Sequence, residues 1–183
     1  MVESGITNQE VALAVLRLLK ARTGGEIRVS WPRNGTLARL AHTMGSAPVV
    51  DGQWLFHITD PASFLTKISP VLERRLAVSD CHDLTKDLII NLFRQAYQLC
   101  FQSGKLVRVD ALGFVDSSMG ADGGDLCIPP DAFVRLVLGY RGLDELVDAW
   151  PDIVMKVESR YLVDVLFPKV DSYFYATYAY FGL

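Results

Sequence analysis

Cysteine and histidine stand side by side once in this chain, with an aspartate next to them, at Cys81-His82-Asp83. A thiol beside an imidazole is the pair that activates a cysteine nucleophile, and all three residue types can bind zinc. The spacing opposes both uses. Chain neighbours in an extended segment point to opposite faces, so Cys81 and His82 do not face one another. A closed zinc site needs further Cys or His at regular spacing, and Cys100, Cys127, His42 and His57 are scattered. The triplet reads as a polar loop. Cys100 and Cys127 lie in apolar runs and read as small core residues.

The second candidate is the loop Gly113 to Gly124, GFVDSSMGADGG, with Asp116, Asp122 and, just beyond, Asp125. Clustered aspartates suggest calcium. These lack the alternating spacing of an EF-hand loop, and the twelfth position counted from Asp116 is Cys127 rather than a bidentate Glu. A phosphate loop needs Gly-Lys-Ser/Thr, which is absent. GGDLCI is one copy of a β-roll-like stretch, and one copy cannot stack. A surface loop is the expectation, with no metal and no cofactor of its own.

Composition narrows the class. The chain has 183 residues, half of them apolar and 21% charged, with a net charge of -3. A sizeable core is affordable, and disorder is not expected. The acidic balance argues against nucleic acid, because phosphate neutralisation needs clustered positive charge. No apolar run approaches the roughly 20 residues that span a bilayer. The first residues, MVESGITNQE, have neither the basic region nor the apolar core of a signal peptide. Three widely spaced cysteines then read as reduced thiols of a cytoplasmic protein.

The elements that must position these residues follow from periodicity. Thr7-Asn8-Gln9-Glu10 reads as a capping box, opening a helix to about Arg22 that stops at Gly24-Gly25. Its run Val11 to Leu19 is apolar on most of its circumference, so it needs cover on more than one side. Glu26 to Trp31 reads as a strand. Thr36 caps a second helix with Leu37, Leu40, Ala41 and Met44 on one stripe. Ser46 to Gly52 is the best internal boundary. Trp54, Phe56 and Ile58 alternate as a strand. Asp60-Pro61 opens a helix with Phe64, Leu65, Ile68, Leu72 and Leu76 at helical spacing, kinked at Pro70. Three antiparallel strands follow, marked by Leu88, Ile90 and Leu92, then Tyr97, Leu99 and Phe101, then Leu106 to Ala111 after a Ser103-Gly104 turn. Asp125 to Ile128 is a short strand. Helices run from Pro130 to Leu138, Leu143 to Trp150, and Ser159 to Leu166. Six of the last eleven residues are aromatic, so the tail is either buried or a partner surface.

Gly124-Asp-Leu-Cys-Ile-Pro-Pro-Asp-Ala-Phe-Val-Arg-Leu-Val-Leu-Gly-Tyr-Arg-Gly-Leu-Asp-Glu-Leu146, then Trp150-Pro151-Asp152 and Leu162-Val-Asp-Val-Leu-Phe-Pro168, carry a resemblance. In that order they resemble the C-terminal region of bacterial GNAT-type N-acetyltransferases related to the enhanced intracellular survival protein. That region is a sterol carrier protein type-2-like domain. The resemblance covers about Gln53 to Leu183, and Asp60-Pro61 fits its start. Residues 1–50 resemble the closing helix, strand and helix of the second acetyltransferase-like domain in the same proteins.

The resemblance implies an α+β fold, a mostly antiparallel mixed sheet with helices on one face, preceded by a short α/β remnant. It divides the chain into 1–50 and 51–183. It places the acetyl-CoA site in an N-terminal domain, where an Arg/Gln-x-x-Gly-x-Gly/Ala turn opens a helix and holds pyrophosphate on backbone amides. Arg22-Thr-Gly-Gly25 follows a helix instead, so the chain is expected to be a fragment or remnant without the catalytic half. The resemblance also implies that the terminal carboxylate, here that of Leu183, enters the acetyltransferase site of a parent protein as a base.

Two functions from different classes are therefore expected. One is a non-catalytic accessory domain that caps an acetyltransferase core and associates with further copies of itself. The other is a carrier of an apolar small molecule or lipid. Its tunnel would be lined by Phe133, Val137, Trp150, Leu162 and Leu166, with Tyr173 and Tyr175 of the tail. The same side chains can also pack together and leave no cavity.

Overall fold

The computed structural model describes residues 8–27, 35–47, 55–116 and 123–170. They form two compact units, one holding 8–27 and 35–47, the other Leu55–Val170.

In the first unit, α1 (Gln9–Thr23) packs on α2 (Thr36–Thr43). Asn8, not Thr7, caps α1: its Oδ1 accepts from the amides of Glu10 at 2.8 Å and Val11 at 3.4 Å. Asn is as good a cap as Thr, because its short acceptor reaches the same orphan amides. Thr7 itself lies outside the described residues. The stop at Gly24 is as expected, with φ 61° and its amide on the Lys20 carbonyl. Ala12 and Leu16, one turn apart, meet Leu37 and Leu40 of α2. Val11 and Leu18 stay about half exposed on another face of α1. Gly35 takes the cap position of α2 that was assigned to Thr36, and Met44 ends the helix in the open. The strand expected at Glu26 to Trp31 falls largely outside the described residues.

The second unit is an α+β fold with helices packed on a five-stranded mixed sheet. Residues 55–58 are not the strand that their alternation suggested: they have no regular structure, and Leu55 is fully open to solvent. Alternation makes a strand only where a partner takes its backbone groups. Asp60 and Pro61 open α3 (Pro61–Lys67) as expected. Pro70 does more than kink the following run. It has no amide for the helix ladder and its ring collides with the preceding turn, so the chain breaks at Ile68 and restarts as α4 (Ser69–Ala77).

Asp60 accepts from the Ser63 amide at 3.0 Å and the Ser63 hydroxyl at 2.5 Å. The hydroxyl, then the amide, holds its carboxyl below the ordinary 3.8. A depressed folded-state pKa gives stability that is present above the ordinary value and lost as pH falls through the folded one. In thermal melts from about pH 6 to about pH 2, the deficit of Asp60→Asn against the unaltered protein should shrink below about pH 4. A deficit that is constant with pH would contradict this.

The meander forms as read: β1 (Lys86–Asn91), β2 (Ala96–Gln102) and β3 (Lys105–Gly113), antiparallel, with Leu88 opposite Leu99 and Ile90 opposite Tyr97. Ser103 and Gly104, at φ 47° and 73°, make a two-residue turn whose twist matches the strands. Then β4 (Leu126–Cys127) pairs parallel to β1, and β5 (Val154–Met155) pairs antiparallel to β4. The order is β3-β2-β1-β4-β5. Two residues are too few to show a period, so β5 left no mark in the sequence. The helices α5 (Pro130–Val137), α6 (Leu143–Ala149) and α7 (Arg160–Leu166) follow the expected stripes, with a 3-10 turn at Val157–Ser159 before α7. Leu65, Leu72 and Leu76 join Leu88, Ile90, Tyr97, Leu99 and Phe101 of the sheet and the apolar faces of α5 to α7 in one core.

Candidate functional site

The Cys81-His82-Asp83 triplet lies in the turns between α4 and β1. The Cys81 side chain is half-buried against the core, and its amide donates to the Ser79 hydroxyl at 3.1 Å. His82 Nε2 lies 3.2 Å from Asp83 Oδ2, with both side chains largely solvated. The thiol and the imidazole are thus divided between core and solvent. Backbone around this triplet supports the β2–β3 hairpin instead. The Gly104 amide donates to the Leu84 carbonyl at 2.9 Å, and the Ser103 amide to Thr85 Oγ1 at 3.0 Å. A Cβ at Gly104 would land on the His82 carbonyl, so this close approach needs glycine.

Asp125, the inner member of the aspartate group, faces into the protein. Its side chain accepts from the Ile89 amide at 2.8 Å and from the Ser159 hydroxyl at 3.2 Å, with Lys156 Nζ at 3.5 Å. It is 7% exposed. The carboxylate therefore ties β1, the start of β4 and the turn before α7. Asn91, fully buried in β1, donates to the carbonyls of Val115 at 3.0 Å and Gly123 at 2.8 Å, and accepts from the Phe93 amide at 2.8 Å. It anchors both described ends of the aspartate loop. Gly124 completes the seat, because a Cβ there would press on Ile89 and Asn91. Asp116 is exposed, and Asp122 lies outside the described residues. Among the described residues, no group of three or more His, Cys, Asp or Glu is placed to hold a metal ion.

The two buried thiols are held protonated. Burial first, and then Asp87 nearby, raises Cys100, against the opposing pull of Arg108. Burial raises Cys127, against Lys156. A thiol pushed up is a weak nucleophile near neutral pH.

Four residues assigned to the wall of an apolar tunnel, Phe133, Val137, Leu162 and Leu166, are buried in the common core, and Trp150 is half-buried against it. The Arg135 guanidinium sits over the Trp150 ring, 4.9 Å from its centroid. Tyr173, Tyr175 and Leu183 lie outside the described residues. A depression of about 480 Å³ lies elsewhere, on the outside of α4, lined by Pro70, Glu73, Arg74, Ala77 and Lys105. Its polar groups are taken: Glu73 receives Lys105 Nζ at 3.0 Å and the Leu106 amide at 3.3 Å, and Arg74 donates to the Pro70 carbonyl at 3.2 Å.

Arg75, in a row of three charged residues with Glu73 and Arg74, gave no sign in the sequence of its use. Its Nη1 donates to the Leu166 carbonyl at 2.5 Å, closing the open end of α7. Desolvation lowers its pKa from the ordinary value. Asn91 did give a signal, as the one amide in the run Leu88 to Phe93. No helix among the described residues is long and apolar enough to cross a membrane. No protein-family model matches the chain, and neither the curated proteins nor the solved structures yield a match.

Proposed function

We propose that this chain is a non-catalytic accessory domain of the sterol carrier protein type-2-like kind, working with a GNAT-type N-acetyltransferase core. One observation supports this most. The side chains that chemistry or a guest would need are committed to the fold. Asp125 bonds Ile89 and Ser159, Cys100 and Cys127 are buried thiols, and Phe133, Val137, Leu162 and Leu166 fill the core. A platform of this kind supplies shape and surface to a neighbour, and bond-making belongs to that neighbour.

Titration of acetyl-CoA into the purified chain, followed by calorimetry, tests the reading. No binding heat is expected. Saturable binding at micromolar acetyl-CoA would overturn it, because such affinity requires a built pyrophosphate site. The carrier reading makes a different claim, that an apolar guest lies between sheet and helices, and it is decided by the mass of the protein as isolated.

A further inference from the structure

We propose that Pro168–Val170 is a strap clasped by charge to the corner between α5 and α6, and that it opens by itself, ahead of the rest of the fold, when the Glu145–Lys169 pair is lost. The root of the strap is fixed. Phe167 is 1% exposed, its amide donates to the Val163 carbonyl at 2.9 Å, and Arg75 takes the Leu166 carbonyl. Beyond that root little is buried: Pro168 is half-buried, and Lys169 and Val170 are exposed. A segment with few buried apolar contacts opens at low cost.

The strap nevertheless lies close on the corner. The Val170 amide donates to the Gly139 carbonyl at 2.9 Å. Gly139 has a φ of 68°, and a Cβ there would collide with the Val170 side chain, so both conformation and space require glycine. Lys169 Nζ donates to Glu145 Oε1 at 2.7 Å.

This clasp has a fixed half and a movable half. Glu145 belongs to the corner: its Oε2 accepts from the Gly142 amide at 3.0 Å, and Arg141 Nη1 lies 3.5 Å from Oε1. Lys169, and then the Gly142 amide, holds the Glu145 carboxyl below the ordinary 4.5, so it is ionised near neutral pH. Lys169 belongs to the strap. With its charge removed, Glu145 keeps Gly142 and Arg141, so the corner stays in place and only the strap is freed. The Lys169 side chain is 56% exposed, and acylation of its amine would remove the same charge. The chain continues from Val170 into the aromatic C-terminal sequence, so the clasp sets the point from which that sequence starts. This inference stands whether or not the acetyltransferase reading does, since it concerns only the corner and the strap.

Amide hydrogen exchange of the full chain, followed by NMR at one pH and temperature, tests it. The Val170 amide should be less protected than the amides of β2, which has a strand on each side. Lys169→Met and Glu145→Gln should each speed Val170 exchange about two- to fivefold, the range for a solvated ion pair. The double variant should do no more than either single one, because the two changes break one interaction. The Gly142 amide should keep its protection in Lys169→Met, and the β2 amides should be unchanged in all three. Val170 exchange as slow as that of β2 overturns the local opening. Single variants that leave Val170 exchange unaltered, or effects that add in the double variant, overturn the clasp.

Discussion

Phe133→Ala should cost about 3–5 kcal/mol of folding stability, the range for removing a fully buried phenyl ring. Phe133 is 1% exposed, on the face of α5 that enters the common core with Leu166, Leu162 and the sheet. Its removal loses the transfer energy of the ring and leaves a hole that rigid neighbours fill only in part. A domain of this size has a net stability of about 5–15 kcal/mol, so the loss is a large share. Urea unfolding should show a lower midpoint at an unchanged slope. Phe133→Leu should cost clearly less, because most of the volume remains. The magnitude also bears on function. If the ring already bordered an empty tunnel, its loss would forfeit few contacts, and a cost below about 1 kcal/mol would count against a filled interior.

Asp125→Ala should cost about 2–4 kcal/mol, by leaving buried donors without an acceptor. The Ile89 amide and the Ser159 hydroxyl lose their partner together, and Lys156 loses its counter-charge. Asp125→Asn keeps an acceptor for the Ile89 amide and should lose about 1 kcal/mol. Hydrogen exchange gives a local readout: the Ile89 amide should exchange faster in the alanine variant than in the asparagine one. Added calcium should leave the melting temperature of the unaltered protein where it was. A calcium-dependent rise that Asp125→Ala abolishes would return the carboxylate to the metal role that its loop suggested.

The sequence made the helices of the second unit legible because their signals are local. Asp60-Pro61 and Pro129-Pro130 mark helix starts, and the stripes of α5 to α7 repeat at helical spacing. The β1–β3 meander was legible for the same reason, with short turns between alternating strands. Non-local features were not legible. β4 lies parallel to β1 across 34 intervening residues, and β5 is only two residues long. Asp125 pairs with a backbone amide 36 residues away, and Arg75 with a carbonyl 91 away. Charge in a sequence looks the same whether it faces solvent or closes a helix end. The strand read at Trp54 to Ile58 failed in its described part, because alternation records a half-buried face and not a hydrogen-bonding partner.

The candidate site shows the same division. The adjacency of Cys81, His82 and Asp83 did not show which way each faces: Cys81 is half-buried against the core, while His82 and Asp83 meet in solvent. Their actual use, to seat the hairpin at Gly104, depends on a backbone approach that residue types do not announce. The apolar residues Phe133, Val137, Leu162 and Leu166 share one core, and the choice between wall and filling turns on packing.

Native mass spectrometry of the chain as isolated, under conditions that preserve apolar ligands, tests most directly whether the interior is filled by its own side chains. The expected mass is that of the polypeptide, alone or as an integral multiple. A reproducible added mass that organic solvent strips away would mean that a guest fills the interior, and would contradict the accessory-domain reading.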